Sequence, residues 1–354
     1  MASKIDFEKA KQVAQQVVGD VGTCVHGALC FIGDRLGLFK AMKESGPVTS
    51  DELAATTGLS ERYLREWLNA MAAAQYVTYD AAARQFHLTP EYASVLADEE
   101  SPFFVGSYFQ MVQSVMSVAP KVADSFLTGK GVPQAEYPPW MFEASERNSF
   151  PRYKYKLVDK WIAALPEVVE RLKGGGAAVD VGCGGGRAAI LIAQAFPSAR
   201  VFGYDLVAQS IERARRNALA AGVGDRVAFE VGDCVTLPSS KFDFISTFDV
   251  VHDAVDPVGL MSSIRRALAP GGTYLVQEIN VSSKPEENHR ALGKMVYSIS
   301  TMYCMTTSLA HGGAGIGAAM GEVKARELAE RAGFKHFRRL PIDDDFAVLY
   351  ELKA

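Results

Sequence analysis

From residue 174 to the end of the chain, short apolar runs alternate with amphipathic segments. Runs such as AAVDVG, ARVFGYDL and FDFISTFDVV predict strands, whereas RAAILIAQAF and AQSIERARRNALAAG have the apolar spacing of helices. Strands that alternate with helices predict an α/β fold with a mostly parallel, doubly wound, Rossmann-like sheet. The last two runs, HFRRL and FAVLYEL, have no helix between them, so one of these two strands is expected to be antiparallel.

The N-terminal part of the chain is predicted to be mostly helical. Residues 23–45 have the apolar spacing of a helix. Thr49 or Ser50 can cap a short helix, DELAATTG, that ends at Gly58. Ser60 caps a third helix, ERYLREWLNAMAAAQ, and two β-like runs, YVTYD and RQFHLT, follow it. This order of helices and a small hairpin predicts a winged helix.

The middle of the chain connects these two parts. Residues 102–129 are predicted to form one further helix, and residues 131–151, rich in Pro and aromatic side chains, a connection. A helix over 152–173 then leads into the second half. The sequence therefore predicts two domains, a winged-helix domain with its connecting helices at 1–150 and a Rossmann-like domain at 151–354.

Composition narrows the classes of protein that fit this pattern. The net charge of -4 gives no overall attraction to nucleic acid or to an acidic membrane. The five cysteines are odd in number and form no CxxC pair, so neither a disulfide framework nor a structural metal site is expected, and a cytoplasmic location fits best. The uncharged stretches Phe103–Pro120 and Met295–Met320 carry too many polar residues for bilayer spans. The run HGGAGIGAAMG in the second stretch is interpreted as a pocket wall, because glycines permit close backbone approach.

The central motif is VDVGCGGGR, residues 179–187, which lies between a predicted strand and a predicted helix. Its glycines, Gly182, Gly184 and Gly186, would let a ligand approach the backbone at the carboxyl edge of the sheet. The dinucleotide pattern GxGxxG would place its third glycine at Arg187, so a nicotinamide cofactor is the less favoured alternative.

Three carboxylates end successive strands of this predicted sheet: Asp180, Asp205 and Asp233. Asp205 could accept hydrogen bonds from both hydroxyls of a ribose, and Asp233 one from an adenine amino group. Asp180 could act near an ammonium group. Each of them could instead be an ordinary turn or helix-capping residue. Their regular recurrence favours a cofactor that carries positive charge.

Taken together, VDVGCGGGR, VFGYD, VGD and the ALAPGG turn before TYLVQE resemble the class I methyltransferases that use S-adenosylmethionine (SAM). The segments LGLF and DELAATTGLS resemble the small-molecule O-methyltransferases that carry a dimerising winged helix. The resemblance implies SAM as cofactor, S-adenosylhomocysteine (SAH) as product and a homodimer. It implies cofactor contacts from Asp180, Gly182, Cys183, Gly184, Gly186, Asp205, Leu206, Asp233, Cys234 and Phe248.

The run FDVVHD places His252 and Asp253 at the end of the fourth predicted strand, and Glu278 ends the fifth. Imidazole titrates near neutral pH, so a His with carboxylate neighbours is a good general base. In plant-type O-methyltransferases a His-Asp pair at this place carries the base and a Glu orients it. Those enzymes continue with Trp where this chain has Ala254, which puts a phenolic acceptor in doubt. A purely local hydrogen-bonding role for His252 remains open.

Four further residues are considered for the acceptor pocket. His311, Met302 and Met305 are candidates to line it, although His311 could equally be a loop residue. Cys304, between the methionines, is interpreted as part of a packed helix face rather than a metal or thiol site, since the spacing defines no ligand geometry.

The leading functional hypothesis is methylation of a hydroxyl on a small molecule, with His252 as general base. An N- or S-methyltransferase that acts by positioning alone is an alternative. A second is a winged-helix transcription regulator with a SAM-binding domain. The helix that would read DNA balances Arg62 and Arg65 against Glu61 and Glu66, whereas such a helix should have a basic face. No nucleic-acid or membrane partner is therefore expected.

Overall fold

The computed structural model describes residues 5–232 and 237–354. The chain divides into two units, Met1–Gln113 and Ser114–Ala354. The boundary predicted between residues 150 and 151 falls inside the second unit, within a helix. Asp233 and Cys234, which were predicted to contact the cofactor, lie outside the described residues.

The first unit combines helices with one antiparallel hairpin. Its elements are α1 (Phe7–Arg35), α2 (Leu38–Ser45), α3 (Ser50–Thr57), α4 (Glu61–Ala73), β1 (Thr78–Asp80), β2 (Gln85–His87) and α5 (Pro90–Leu96). Thr49 caps α3, because its hydroxyl accepts from the Glu52 N–H and the Glu52 carboxylate accepts from the Thr49 N–H. The predicted sequence of helices followed by a hairpin is confirmed.

The helix predicted over 23–45 has different bounds. It begins earlier, at Phe7, where the Asp6 carboxylate caps α1. It is broken before α2 by Gly37, which has a left-handed φ of 69°. By length and composition α1 is apolar enough to cross a membrane, and only 11% of its most apolar window is buried, so α1 is not a core helix of one chain.

The second unit holds the sheet. After α6 (Tyr108–Met116), which crosses the division between the units, come α7 (Ala119–Thr128), α8 (Trp140–Arg152), a π-helix (Tyr153–Ile162), α9 (Pro166–Lys173), β3 (Ala177–Val181), α10 (Arg187–Ala195), β4 (Arg200–Asp205), α11 (Ala208–Ala220) and β5 (Val227–Val231). Then follow β6 (Phe242–Phe248), α12 (Pro257–Ala267), β7 (Leu268–Ile279), α13 (Ala291–Ile299), a second π-helix (Ser300–Cys304), α14 (Met305–Ala310), α15 (Gly321–Arg331), β8 (His336–Arg339) and β9 (Ala347–Lys353). Short 3-10 helices lie at Gln134–Glu136, Val251–Asp253 and Pro285–Asn288.

The seven strands are ordered β5-β4-β3-β6-β7-β9-β8. Strands β3 to β7 pair in parallel, and β9 is antiparallel to both β7 and β8. The predicted doubly wound sheet with one antiparallel strand is therefore confirmed. The strand order reverses between β3 and β6, and sheets of this kind bind ligands at the carboxyl ends of the strands beside such a reversal.

Alternating side chains of β3 serve the two faces of the sheet. Ala178 packs with the face covered by α9, α10 and α11, whereas Val179 and Val181 pack with the face covered by α12 and α15. Burial on both faces explains why the predicted strands are nearly continuous apolar runs.

Two predictions for the middle of the chain are wrong. The single helix predicted over 102–129 is two helices, α6 and α7, separated before Pro120, which stands in the first turn of α7 and cannot continue a preceding helix. The connection predicted over 131–151 contains α8, which begins directly after Pro139.

Candidate active site

The glycine loop between β3 and α10 takes a backbone conformation that suits glycine. Gly182, Gly184 and Gly186 have φ values of 73°, 51° and 75°. A Cβ at Gly182 would lie 2.6 Å from Val250, and one at Gly186 would lie 2.6 Å from the Phe229 ring. A Cβ at Gly184 would meet no atom within 4 Å. The outer glycines therefore pack the loop onto the sheet, and Gly184 faces open space where a ligand can approach.

Asp205 closes β4 directly beside this loop. One carboxylate oxygen accepts from the Gly184 N–H and the other from the Val207 N–H, each at 2.8 Å. Burial raises the pKa of Asp205, and these two hydrogen bonds oppose the rise. Each oxygen keeps a lone pair for a further donor. Leu206, the next residue, is 69% exposed.

Asp180 lies at the end of β3 and is buried. Its Oδ1 accepts from the Ser246 hydroxyl at 2.9 Å. Burial raises the pKa of Asp180 to about 7, against the hydrogen bond from Ser246 and with a contribution from the charge of Asp205. Its ionisation therefore responds to a positive charge placed nearby.

The remaining predicted cofactor contacts within the described residues are buried. The Phe248 ring, at the end of β6, packs against Tyr153 and Trp161, with ring centres 5.1 and 5.8 Å apart. The Cys183 sulfur is so close to β4 that a Cβ on Gly203 would lie 2.9 Å from it. Both side chains belong to the same buried core on one face of the sheet.

A buried acidic group supports the loop from α8. Glu146 accepts from Arg187 Nε at 2.7 Å and lies 2.5 Å from Arg213 Nε. Asn217 donates to both Glu146 and the Gly185 carbonyl at 2.8 Å. A Cβ on Gly185 would overlap the Glu146 carboxylate at 2.1 Å. Glu146 thus ties α8, α10 and α11 to the middle of the glycine loop.

A second group from α8 fixes the turn after β6. Asp249 has a left-handed φ of 56°, which is unfavourable for a residue other than glycine. Arg152 donates to its Oδ2 at 3.1 Å, and Gln277 donates to its Oδ1 at 2.9 Å. These contacts hold the turn that leads to His252.

His252, Asp253 and Glu278 come together as predicted from the sequence. His252 lies in the 3-10 turn Val251–Asp253 and is 2% exposed. Its Nδ1 donates to Glu278 at 2.5 Å, and the other Glu278 oxygen accepts from the Val251 N–H at 3.1 Å. Nε2 faces Asp253 Oδ1 at 3.2 Å. Burial lowers the pKa of His252, but the Glu278 and Asp253 carboxylates outweigh it and hold the pKa well above its usual value.

The thiol of Cys304 also contacts His252. It lies at the end of the second π-helix, and such helices are frequent at functional sites. Burial raises the pKa of this thiol to about 12, so it is neutral near neutral pH. The sequence interpretation of Cys304 as a member of a packed helix face omitted this contact, which joins residues 52 positions apart in the chain.

The pocket-wall residues differ in their surroundings. Met302 and Met305 are half-buried. Gly317 donates its N–H to the His252 carbonyl at 3.2 Å, and a Cβ on Gly317 would lie 3.4 Å from the Cβ of Met305. The glycine-rich run therefore makes the close backbone approach that its composition indicated. His311 is exposed at the end of α14.

Sequence reasoning missed Glu146, Arg152, Asp249 and Cys304 as members of this site. Asp249 stands in the run FDVVHD that drew attention to His252, so its position held a usable signal. Glu146 had no such signal, because it reaches the site from a part of α8 that the sequence indicated to be a connection. Arg152 stood only at the start of the helix predicted over 152–173.

Comparison with known proteins finds two domain families in the chain. Residues 172–339 match the family model described as a methyltransferase domain, and residues 25–98 match the Rv2258c-like winged HTH domain. The 27-O-demethylrifamycin SV methyltransferase of Amycolatopsis mediterranei is 30% identical over 155 residues, which are 42% of this chain and 55% of that protein. The chain therefore spans about half the length of that relative. A sterol 24-C-methyltransferase of Pneumocystis carinii is 32% identical over 130 residues, which are 36% of this chain and 34% of that protein.

Solved structures share the fold over the whole chain. Human N-acetylserotonin methyltransferase, crystallised with SAM, has a TM-score of 0.66 at 18% identity and covers 100% of both chains. An O-methyltransferase from neocarzinostatin biosynthesis, crystallised with SAH and 1,4-dihydroxy-2-naphthoic acid, has a TM-score of 0.66 at 18% identity and covers 96% of this chain and 98% of its own. The chain thus carries a SAM-dependent methyltransferase domain of the class I fold, joined to an Rv2258c-like winged helix-turn-helix domain.

Proposed function

We propose that this protein transfers the methyl group of SAM to a hydroxyl group of a small molecule, with His252 as the general base. The observation that carries the proposal is the hydrogen bond from His252 Nδ1 to Glu278 at 2.5 Å. With the Nδ1 proton held by a buried carboxylate, loss of the second ring proton leaves a lone pair on Nε2, and because the carboxylates raise the pKa of His252, this happens above the usual imidazole range. That is the arrangement a general base needs.

The residues around the glycine loop fit SAM as the cofactor. Gly184 borders open space, and Asp205 has lone pairs available for the two ribose hydroxyls. The buried carboxyl of Asp180 lies beside the same loop, where the positive charge of the cofactor would favour its ionised form. When bound, SAM would supply a methyl group on a positively charged sulfur. The nucleophile would attack the methyl carbon in line with the carbon–sulfur bond, and SAH would leave.

In the proposed reaction His252 Nε2 takes the proton of the acceptor hydroxyl. The ring then carries a positive charge, which Glu278 stabilises through Nδ1 and Asp253 through its nearby carboxylate. Because Glu278 is itself held by the Val251 N–H, it fixes the orientation of the ring during this transfer. The buried position of His252 keeps bulk water away from the proton that moves.

Half-buried Met302 and Met305 and the backbone of Gly317 favour a partly apolar acceptor. The neocarzinostatin enzyme, with which this chain shares its fold, was crystallised with a dihydroxynaphthoic acid. An acceptor thiolate or neutral amine would need only positioning, because no proton has to leave during transfer. The N- and S-methylation alternatives therefore differ from O-methylation in their dependence on His252.

The test is the turnover of His252→Ala on a hydroxyl acceptor found by screening phenols and aliphatic alcohols beside matched amines and thiols. We expect kcat to fall by about 10²–10⁴-fold, the usual contribution of a general base. Binding of SAM, measured by calorimetry, should stay close to the wild-type value, since the cofactor contacts lie on the glycine loop and Asp205.

His289→Ala is the matched control, because His289 is an exposed histidine directly after the 3-10 helix Pro285–Asn288 and should leave kcat unchanged. Near-normal kcat for His252→Ala on a hydroxyl acceptor would show that the base lies elsewhere. Turnover of amines or thiols alone, unaffected by the substitution, would support the positioning alternative instead.

We also propose that the protein is a homodimer through α1. Every residue from 5 to 25 is exposed, and Val13, Val17, Val21 and Val25 recur at intervals of four along α1. An apolar ridge with this spacing is typical of helix-helix packing. Asp20 lies within the same stretch, and a charge in the middle of a bilayer span is costly, so a second copy of the chain is favoured over a membrane.

We propose a cytoplasmic setting and no nucleic-acid partner. Cys24, Cys30, Cys183 and Cys304, the cysteines within the described ranges, are all free thiols, which supports a reducing compartment. In α4, ion pairs join Arg62 to Glu66 and Arg65 to Glu61, so the arginines are locally neutralised. A transcription regulator would need those charges for phosphate contacts.

A further inference from the structure

Three side chains of different chemistry meet on one side of the His252 ring. The ligand atoms of His252, Asp253 and Cys304 all lie within 4.8 Å of one another. They come from two separate segments, the 3-10 turn after β6 and the second π-helix. An imidazole, a carboxylate and a thiol together form the N/O/S donor set that Zn²⁺ accepts in proteins.

The surroundings of the ring match those of a metal-binding histidine. Histidine ligands almost always donate their second ring N–H to a carboxylate, which fixes the ring and raises its basicity. Glu278 accepts from Nδ1 at 2.5 Å, so Nε2 is the nitrogen left to bind a metal. The alternative group of Asp249, His252 and Glu278 would require the Nδ1 atom that this hydrogen bond already uses.

Asp253 provides the independent observation. Its Oδ1 is buried and faces both His252 and the Cys304 thiol, and among the described residues it makes no hydrogen bond of good geometry. Nε2 lies 3.2 Å from this oxygen but outside the geometry of a hydrogen bond. A cation bound between the two groups would give this oxygen a stronger partner.

We propose that His252, Asp253 and Cys304 form a binding site for Zn²⁺ or a similar divalent transition metal, and that occupancy of the site blocks methyl transfer. The binding stands on the three donors alone, whereas the block rests on the proposed role of His252 as base. The metal replaces the proton on His252 Nε2 and the thiol proton of Cys304, and both protons leave to solvent. A ring bound in this way cannot accept the proton of an acceptor hydroxyl.

The binding test uses Co²⁺, whose absorption reports its ligands, on the full-length reduced protein. We expect a thiolate-to-cobalt charge-transfer band in the near ultraviolet and d–d bands of tetrahedral intensity. Cys304→Ser and Cys304→Ala should lose the charge-transfer band. Cys24→Ser removes an exposed thiol that is distant in sequence from the three proposed ligands, and this variant should keep the charge-transfer band. Circular dichroism and SAH binding identify any variant that fails to fold.

A wild-type protein without the charge-transfer band, or a folded Cys304→Ala variant that retains it, would overturn the site. The inhibition test compares methyl transfer with and without micromolar Zn²⁺, each variant against its own metal-free rate. Wild type and Cys24→Ser should lose at least 90% of their rate and regain it with a chelator. Cys304→Ala should need at least tenfold more Zn²⁺ for the same fractional inhibition.

The two proposals fail in different ways. If metal-free protein does not methylate any hydroxyl acceptor, the proposed function is contradicted, while the cobalt spectrum still decides the metal site. If the cobalt band appears but Zn²⁺ leaves the rate unchanged, the block is refuted although the site exists.

Discussion

At the scale of single residues, burial determines which carboxyl groups near the glycine loop titrate in the physiological range. Asp205 is held by two backbone N–H groups, whereas Asp180 has one hydroxyl donor and sits deeper beneath the sheet edge. The pKa of Asp180 therefore rises to about 7 while its neighbour remains engaged with the loop. A cofactor that carries an ammonium and a sulfonium would meet a partly ionised acid at neutral pH.

This difference predicts a pH dependence of cofactor affinity. Below pH 7 Asp180 is mostly protonated and neutral, so each pH unit below its pKa should weaken SAM binding by up to about tenfold. Above the pKa the carboxylate is ionised and affinity should level off. Calorimetric titration of SAM between about pH 5.5 and 7.5 would measure this rise.

Asp180→Asn is the matched variant, because it keeps the size of the side chain and removes the titration. Its SAM affinity should be weaker than that of wild type at pH 7.5 and nearly independent of pH. A wild-type affinity that stays constant over this range, or a variant with the same slope, would show that Asp180 does not sense the cofactor charge.

At the scale of elements, α8 supports the active site by two side chains. Glu146 holds the glycine loop through Arg187, Arg213 and Asn217, and Arg152 holds the turn before His252 through Asp249. Through these two side chains, α8 stabilises both the glycine loop and the turn that leads to His252.

Removing the Glu146 carboxylate should therefore affect both stability and binding. Breaking a buried ion pair typically costs about 3–5 kcal/mol. Because the Arg187 side chain is 36% exposed, we expect Glu146→Ala to lower the free energy of unfolding by about 3 kcal/mol, at the low end of that range. The loop should also bind SAM more weakly, because Gly185 loses the group packed against it.

Urea denaturation and SAM calorimetry would measure these two effects. Glu170→Ala is the control, since the Glu170 side chain is 76% exposed beside Lys173 and its loss should change stability by no more than about 0.5 kcal/mol. If Glu146→Ala and Glu170→Ala proved equally stable and bound SAM equally well, the bracing role of Glu146 would be refuted.

How far the sequence predicted the molecule also depends on the element. The strands and helices around β3 to β7 were predictable because both faces of the sheet are buried, which leaves continuous apolar runs between amphipathic helices. His252, Asp253 and Glu278 were predictable for a related reason. They follow or end apolar runs that predict parallel strands, and the carboxyl ends of parallel strands meet at one edge of the sheet. In contrast, α8 carries few apolar residues in a regular pattern, and its role depends on the buried charge of Glu146, which no periodicity reveals.

Helix ends were the least predictable feature. The N-terminal half of α1 has no buried face within the described structure, so its polar and apolar residues gave no core-facing pattern.

The contact between Cys304 and His252 depends on the second π-helix, which shifts the register of side chains along the helix. A local change of helical period cannot be read from the spacing of apolar residues.

At the scale of the whole molecule, α1 leaves a row of apolar side chains exposed in the part of the chain that the structure describes. Phe7 is 83% exposed and Val18 71%, in addition to the ridge from Val13 to Val25. Contiguous exposed apolar surface of this kind usually marks an interaction site. The proposed homodimer would bury this ridge against its copy, as two-fold symmetric interfaces pair the same surface on both chains.

The dimer can be tested by placing one charge on the ridge. Val17→Asp should convert the protein from a dimer to a monomer at micromolar concentration, because a buried carboxylate without a partner costs several kcal/mol per chain. Gln15→Asp adds the same charge to another face of α1 and should leave the dimer intact.

Multi-angle light scattering after gel filtration measures the mass of each variant, and vesicle flotation tests the competing membrane partner. A monomeric wild type, or a wild type that floats with vesicles through α1, would overturn the dimer. Dissociation by both substitutions would show that α1 tolerates no added charge, and the ridge would then not be the interface. Since the His252 site is built within the second unit, the Val17→Asp monomer should still bind SAH with near-wild-type affinity, which separates assembly from cofactor binding.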